Sequence, residues 1–375
     1  MTSVLERGTE QADGRLGAVL RAVGRPQPVA LGRHGPWVVT TLEHARSVLT
    51  DPGAFDFPVD VSRRSLPRGQ ERDRDAGFVP LPRARTAVAA DVLVDELRAA
   101  VRSRAGAEHD AMRLLRRPVA RATAAAVLDG VADPERDAVA DAVLAWIDAL
   151  APVIAALRPP GRWSRVRRHE DAARTRLESL LQALDDPEPA RTATMLAAGT
   201  QVPIAAGAWL LVALAERPAL QHRLGTGDLE PSSVVWEVLR LTPPTWVTAR
   251  VARRAVVLGG ERVPEGGVVL VSPLLLGRLA ELVPAHEQEA GDTRALFAPD
   301  RWQDPHARPG AWLPFGAGPH ACPGRSVGLA QLVALTTWAG GVHLELAAPV
   351  HLDQSRGIFP RPARLAVTAR DEVEG

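Results

Sequence analysis

The run Met195–Ala215 (MLAAGTQVPIAAGAWLLVALA) carries no charge, and it constrains this chain more than any other feature. Its length would cross a bilayer. A helix apolar on every side is equally expected at the centre of a large α-rich domain. Thr200 with Gln201, the internal Pro203 and the mid-chain position between polar halves favour the buried helix. The amino-terminal MTSVLERGTEQADGRLG is polar and has no apolar leader core, so a cytoplasmic protein with no membrane partner is expected. A helix buried all round needs many neighbours, and 375 residues with 46% hydrophobic side chains can supply them. The net charge of +1 leaves no bulk attraction for nucleic acid.

Around that helix the pattern is mainly α, with small β-sheets contributed from both ends of one interwoven domain spanning residues 1–375. The β-rich amino-terminal part covers about 25–60. There GRPQPVALGRHGPWVVT alternates between Gly/Pro turns as a hairpin, and Thr40 with Glu43 reads as a capping box for the helix after it. Residues 55–82 carry no periodicity and read as a long loop of the kind that is often functional. The helical core runs over about 83–242, with breaks near Gly106, Pro134 and Pro159-Pro160, and its last helix, Ser232–Leu241, stops at Pro243-Pro244. A hairpin at 255–263, a strand at 267–272, a helix from Arg325 to Trp338 and strands at 342–346 and 365–368 complete the expectation.

Cys322 is the only cysteine, which excludes an internal disulfide and a multi-cysteine metal site. It sits in Phe315-Gly316-Ala317-Gly318-Pro319-His320-Ala321-Cys322-Pro323-Gly324, a tight loop followed at once by an apolar helix. Loop amides and a helix amino terminus favour the thiolate over the thiol. A thiolate needs a cationic partner. One sulfur cannot build a zinc site, and the ten histidines show no HxxxH or HxH pairing. A single axial thiolate does suit haem, where the porphyrin supplies the other four ligands. A buried packing cysteine is the alternative from chemistry alone.

The pattern Phe315-x-x-Gly318-x-His320-x-Cys322-x-Gly324 resembles the haem-binding loop of cytochromes P450. Glu237-Val238-Leu239-Arg240 resembles the family's ExxR, although its spacing also suits a surface ion pair. Phe297-Ala298-Pro299-Asp300-Arg301-Trp302 resembles the segment whose arginine joins that pair, and GPWVVTTLEHARSVLTDPGAF the family's first strand and helix. The resemblance implies the P450 fold, haem b as cofactor and Cys322 as axial iron ligand in a haem loop over 313–324. Phe315, Gly316, Gly318, His320 and Gly324 would shape that loop, and Glu237, Arg240 and Arg301 would form a buried network bracing it. His320, Arg250 and Arg85 would hold the haem propionates. The family often has His or Trp four residues before the last of these; Leu81 stands there, so one contact is missing.

The central helix departs from the family. Oxygen-activating members carry a small residue, Gly, any residue, an acid and Thr, and the acid–alcohol pair helps protons reach dioxygen at the iron. Here the run is Ala198-Gly199-Thr200-Gln201-Val202-Pro203. Gln201 replaces the acid and Val202 the alcohol, and neither can shuttle a proton. Pro203 should kink the helix and leave the Gly199 carbonyl for water or substrate, while Thr200 could supply a displaced hydroxyl. These six residues are expected on the distal face, with substrate walls from Asp56–Pro80, the break at Pro159-Pro160 and the turn Gly357–Pro360. The reading is a P450 that tailors a small specialised metabolite, with non-standard iron chemistry on a pre-oxidised substrate (nitrene- or peroxide-type transfer, or cyclisation). Peroxygenase members pair such a Pro with a preceding Arg, a position Val202 fills here, which disfavours fatty-acid peroxygenation. A conventional monooxygenase would need ferredoxin and a ferredoxin reductase, with Arg325, Arg116 and Arg117 as basic contacts. A haem-binding non-enzyme is the alternative of another class.

Overall fold

The computed structural model describes residues 13–58, 81–103, 106–156, 158, 160–285, 293–355 and 357–369. They form two compact units, each assembled from separated stretches of chain.

The first unit combines described residues 13–58, 232–285 and 293–322. Helix α1 (Gly14–Leu20), not expected from the polar start, precedes strands β1 (Val29–Ala30) and β2 (Trp37–Val38), which pair antiparallel as the expected hairpin. Helix α2 (Leu42–Thr50) is capped by Thr41, whose hydroxyl accepts the His44 amide at 3.2 Å. This corrects the expected Thr40 cap. The Val39 amide still bonds the Leu270 carbonyl at 3.0 Å, so the sheet holds the chain through that residue and Thr40 is buried behind it.

Strand β2 lies parallel to β8 (Val268–Val271), and β5 (Thr248–Ala252) joins β8 to β3 (Phe55–Asp56). The sheet order is β1-β2-β8-β5-β3, so its middle comes from the distant half of the sequence. Strands β6 (Val256–Leu258) and β7 (Glu261–Val263) form the Gly259-Gly260 hairpin; both glycines have positive φ, as a two-residue turn requires. Val38, Val39, Val48, Val269, Val271 and Trp312 are core residues of this unit. It also contains α9 (Pro231–Leu241) from its second residue on, and the short α10 (Pro273–Leu276).

The second unit is helical. It holds α3 (Arg83–Arg102), α4 (Ala111–Val127), α5 (Asp133–Ala155), α6 (Arg165–Ala183), α7 (Pro189–Ala215), α8 (Pro218–Thr226) and α11 (Arg325–Gly340). Strands β9 (Val342–Leu346) and β12 (Arg364–Ala369) pair antiparallel, with β4 (His109–Asp110) on the other edge of β12. Strands β10 (Leu352–Asp353) and β11 (Phe359–Pro360) form a separate pair.

The charge-free run is the carboxyl-terminal part of α7. From Pro203 to Ala215 every residue is buried, as expected of a central core helix. Helix α5 also has the length and apolarity of a span, and the most apolar windows of α7 and α5 are 72% and 44% buried. Gly207 admits close neighbours: a Cβ there would lie 2.8 Å from Leu335 and 2.9 Å from Leu115. Trp209, fully buried, donates its indole N–H to the Ile358 carbonyl at 2.9 Å and ties the turn before β11 to α7. Trp209→Phe removes that donor and leaves a small void, so denaturant unfolding should show a loss of about 2–4 kcal/mol.

Candidate functional site

Glu237 and Arg240 lie one turn apart on α9 and are both fully buried, so they are not the surface pair their spacing alone allows. Arg240 donates Nη2 to Glu237 Oε1 at 2.6 Å and Nε to Oε2 at 2.9 Å, a bidentate fork. Arg301, in the single 3-10 turn Pro299–Trp302, donates Nε to Oε1 at 3.2 Å. Two further donors escaped the sequence reading. The Ala298 amide reaches Oε1 at 2.8 Å and the Trp302 indole reaches Oε2 at 2.8 Å. The guanidiniums also donate to carbonyls: Arg240 to Gly277, Arg294 and Leu296, and Arg301 to Pro284 and Leu296, with its Nε hydrogen shared between Glu237 and the Ala298 carbonyl.

Burial by itself would push the Glu237 carboxyl up. Arg240, Arg301 and the Ala298 amide together outweigh it and hold the carboxyl below its ordinary value. Arg301 is shifted down, first by burial and partly offset by Glu237.

From this network a line of rings runs to the cysteine loop. Trp302 meets Trp312 at 5.0 Å, Trp312 meets Trp236 at 6.0 Å, and Trp236 meets Phe315 at 6.3 Å, the last two edge to face. Phe315 in turn closes the loop, its carbonyl accepting the Cys322 amide at 2.8 Å. Gly316 and Gly318 have φ of +70° and +71°. At Gly318 a Cβ would fall 2.5 Å from the Leu49 carbonyl, so the carboxyl end of α2 seats the loop only against glycine. Gly324 has open space where a Cβ would be.

Cys322 is exposed, together with Gly318 through Ala321. A packing cysteine would be covered, so the packing alternative fails. Arg250, on β5, is 4% exposed, and its hydrogen bonds go to two neutral oxygens, Thr248 Oγ1 at 3.1 Å and the Ala249 carbonyl at 2.9 Å. Burial lowers its pKa, with the Asp56 charge opposing. The guanidinium lies over the Phe57 ring at 3.9 Å, and that ring meets His320 edge-on at 4.5 Å. Phe57 therefore links two residues proposed for propionate contact, a role with no signal in the sequence pattern. An uncovered thiol, a poorly compensated buried cation and a neighbouring imidazole are a donor set that fits a haem: axial sulfur for iron, cation and imidazole for carboxylates. Among the described residues no cluster of three His, Cys, Asp or Glu could hold a bare metal ion.

The other sequence candidates lie in the helical unit. Arg85, expected to reach a propionate, is ion-paired with Asp129. Leu81 packs with Ala89, Ala126 and Val327. Ala198 and Val202, one turn apart on α7, are exposed, and Gly199 and Gln201 are half-buried. Thr200 does not join that exposed strip: it is fully buried and its hydroxyl has no hydrogen-bond partner. Pro203 is buried and α7 continues through it. The Gly199 carbonyl is not left for water or substrate as expected, because the Thr123 hydroxyl donates to it at 3.0 Å. Arg116 and Arg117, expected as basic contacts for a redox partner, are ion-paired at the surface, the first with Asp148 and the second with Asp137 and Asp141. Arg325 is exposed. Of the expected substrate walls, residues 59–80 and Pro159 fall outside the described residues, whereas Gly357–Pro360 is the turn held by Trp209.

A family model described as cytochrome P450 matches residues 232–339, the stretch that carries Glu237, Arg240, Arg301 and Cys322. A putative cytochrome P450 137 of Mycobacterium tuberculosis is 31% identical over 147 residues, 38% of this chain and 29% of that protein. The pentalenene oxygenase of Streptomyces avermitilis is 29% identical over 239 residues, 54% of this chain and 51% of that protein. The chain thus spans about a third to a half of the length of these curated relatives. In fold it is similar to the crystal structure of CYP175A1 from Thermus thermophilus, with a TM-score of 0.73, 20% identity and coverage of 98% of this chain and 100% of the other.

Two outcomes follow from this geometry. Gly318→Ala forces the loop off Leu49, and the purified variant should retain far less haem, read from its absorbance ratio, while its far-ultraviolet circular dichroism stays native. The depressed Glu237 pKa adds stability that is full above the ordinary carboxylate pKa and is lost as pH falls through the lower folded value. Glu237→Gln strands two buried guanidiniums and should cost about 3–5 kcal/mol near neutrality. That gap should narrow steadily in denaturation curves taken at falling pH below about 4.

Proposed function

We propose that the chain, whose residues 232–339 match the cytochrome P450 family model, is a haem-thiolate oxidoreductase of that family tailoring a small specialised metabolite by non-standard iron chemistry. Haem b is the proposed cofactor, Cys322 its axial ligand, and Arg250 and His320 the groups that hold its propionates. Bound to an axial thiolate, haem iron supplies electron-rich oxygen- or nitrogen-transfer chemistry. The protein's own residues set the terms of that chemistry. The Glu237 network and the ring line to Phe315 keep the cysteine loop in place, and Cys322, exposed on that loop, would supply the axial sulfur. Arg250, already desolvated, gives a strong charge-assisted bond to any carboxylate that reaches it.

The observation that carries the reading is at Gln201 and Val202. The family resemblance assigns Ala198–Pro203 to the distal side, where an acid and an alcohol usually move protons. The exposed residue of this turn beside Gln201 is Val202, which has no donor, and Gln201 carries an amide that does not titrate. Thr200 offers no substitute, since its hydroxyl is enclosed by protein. With proton delivery weakened, a substrate bearing its own O–O or N–O leaving group is favoured over dioxygen. In such a cycle no electron-transfer protein is needed, and residence in the cytoplasm is the accompanying proposal.

The relatives favour a second reading. The oxygenase named for pentalenene, and another relative named as a cyclooctat-9-en-7-ol 5-monooxygenase, suggest a conventional monooxygenase fed by ferredoxin and its reductase. Turnover assays separate the two. Reductant with dioxygen is compared with N–O- or O–O-bearing substrate analogues under anaerobic conditions, and products are identified by mass spectrometry. Product in the anaerobic arm is expected; product only with dioxygen and reductant makes the enzyme a conventional monooxygenase. Installing Gln201→Glu with Val202→Thr should lower the share of reductant lost as peroxide about tenfold or more, since a positioned proton donor is worth that much.

A further inference from the structure

A proline within a helix deletes one amide and orphans the carbonyl four residues earlier. In α7 that carbonyl belongs to Gly199. A freed carbonyl inside a helix commonly takes a water, but here the protein fills the position itself. Thr123, on α4, donates its hydroxyl hydrogen to the Gly199 oxygen at 3.0 Å, and the same hydroxyl accepts from Nε2 of Gln331, on α11, at 3.2 Å. Thr123 and Gln331 are 3% and 1% exposed, so the relay is sealed from solvent. Its direction is fixed. The hydroxyl has one hydrogen and spends it on the carbonyl, so only the amide NH2 of Gln331 can face it.

The fit depends on the residues at both ends. A Cβ on Gly199 would stand 3.0 Å from Thr123 Cγ2, so the glycine leaves the room that the threonine uses. Gln331 Oε1 has no hydrogen-bond partner, which leaves the NH2 side as the amide's hydrogen-bonded attachment. Pro203 frees the carbonyl, Gly199 admits the hydroxyl and Gln331 orients it, across three helices of one unit.

We propose that Thr123 is a positioning residue that replaces the hydrogen bond deleted by Pro203 and keeps water off the Gly199 carbonyl. This rests on the reading above that the turn borders the reacting centre. A water on the Gly199 carbonyl would be a proton carrier beside Gln201 and Val202. The Thr123–Gln331 relay denies that place, so the turn offers no acid, no accessible alcohol and no carbonyl-bound water.

The test uses haem-loaded protein and three variants. Thr123→Ser keeps the hydroxyl. Thr123→Val removes it without making room. Thr123→Ala removes it and leaves a donor and an acceptor that one water can bridge. Crystal structures are read for water on the Gly199 carbonyl, and reductant oxidation is read for the share released as peroxide. The carbonyl should be dry in the wild type, Ser and Val proteins and hydrated in Ala. Only the Ala variant should then lower the peroxide share, by about threefold or more. Water on that carbonyl in the wild type overturns the proposal. So does an Ala variant that is less stable but has a dry carbonyl, or one that is hydrated with an unchanged peroxide share. If the protein does not reduce dioxygen at all, the proposed chemistry stands without a peroxide readout, and the position of the water alone decides the relay.

Discussion

The first unit is organised around a single carboxylate. Glu237 is buried beyond the reach of water, where an unpaired negative charge would be untenable, and it accepts from two guanidiniums, an indole and a backbone amide. Each donor comes from a different place in the sequence or a different atom type, so satisfying the charge fixes α9 against the turn Pro299–Trp302. The two arginines also donate to carbonyls between Gly277 and Leu296, which have no sheet or long helix to hold them. Buried ion networks are weak contributors to net stability because desolvation cancels most of the attraction. Their effect is on uniqueness. Here one geometry satisfies all the hydrogen bonds, and the Trp302–Trp312–Trp236–Phe315 line carries it to the loop that holds Cys322.

What was legible in the sequence follows from how local each signal is. Glu237 and Arg240 are one turn apart, and the cysteine loop is a contiguous string of glycines and prolines, so both could be read directly. The hairpin at Gly259-Gly260 and the separate strands β9 and β12 were legible for the same reason, but not the pairing of those two strands. Thr123 was not. Its two partners lie 76 and 208 residues away, and a threonine amid alanines on an amphipathic helix has no local mark of a relay. Trp302 stands in a recognisable motif without a legible role, since an indole beside an arginine could face anywhere until the 3-10 turn is known. The cap of α2 failed by one residue: two threonines are adjacent, and the sheet bond from Val39 to Leu270, invisible locally, decides which is free to cap.

Pro203 shows how tertiary packing overrides local preference. A proline inside a helix costs about 3 kcal/mol in isolation, yet α7 runs unbroken from Pro189 to Ala215. Gly199, Pro203 and Gly207 recur every fourth residue and so share one face. At one end of it Thr123 replaces the lost backbone bond, and at the other Leu115 and Leu335 close on the missing side chain of Gly207. The proline is tolerated because its neighbours on α4 and α11 are shaped for it.

That accommodation bears on whether the chain is a working enzyme or a remnant. A protein relieved of iron chemistry has no need for an uncovered thiol, or for the Glu237 network and the cation at Arg250, whose desolvation must be offset by other interactions. All are present. Leu81 and Arg85 depart from the expected propionate contacts, but at the turn Ala198–Pro203 the change is compensated rather than eroded, with an amide at Gln201, an exposed Val202 and a hydroxyl placed on the freed carbonyl. Loss by neglect scatters through a site. A change supported from two other helices is what the proposed reading requires, in which a haem-thiolate centre serves a reaction that does not draw its protons from α7.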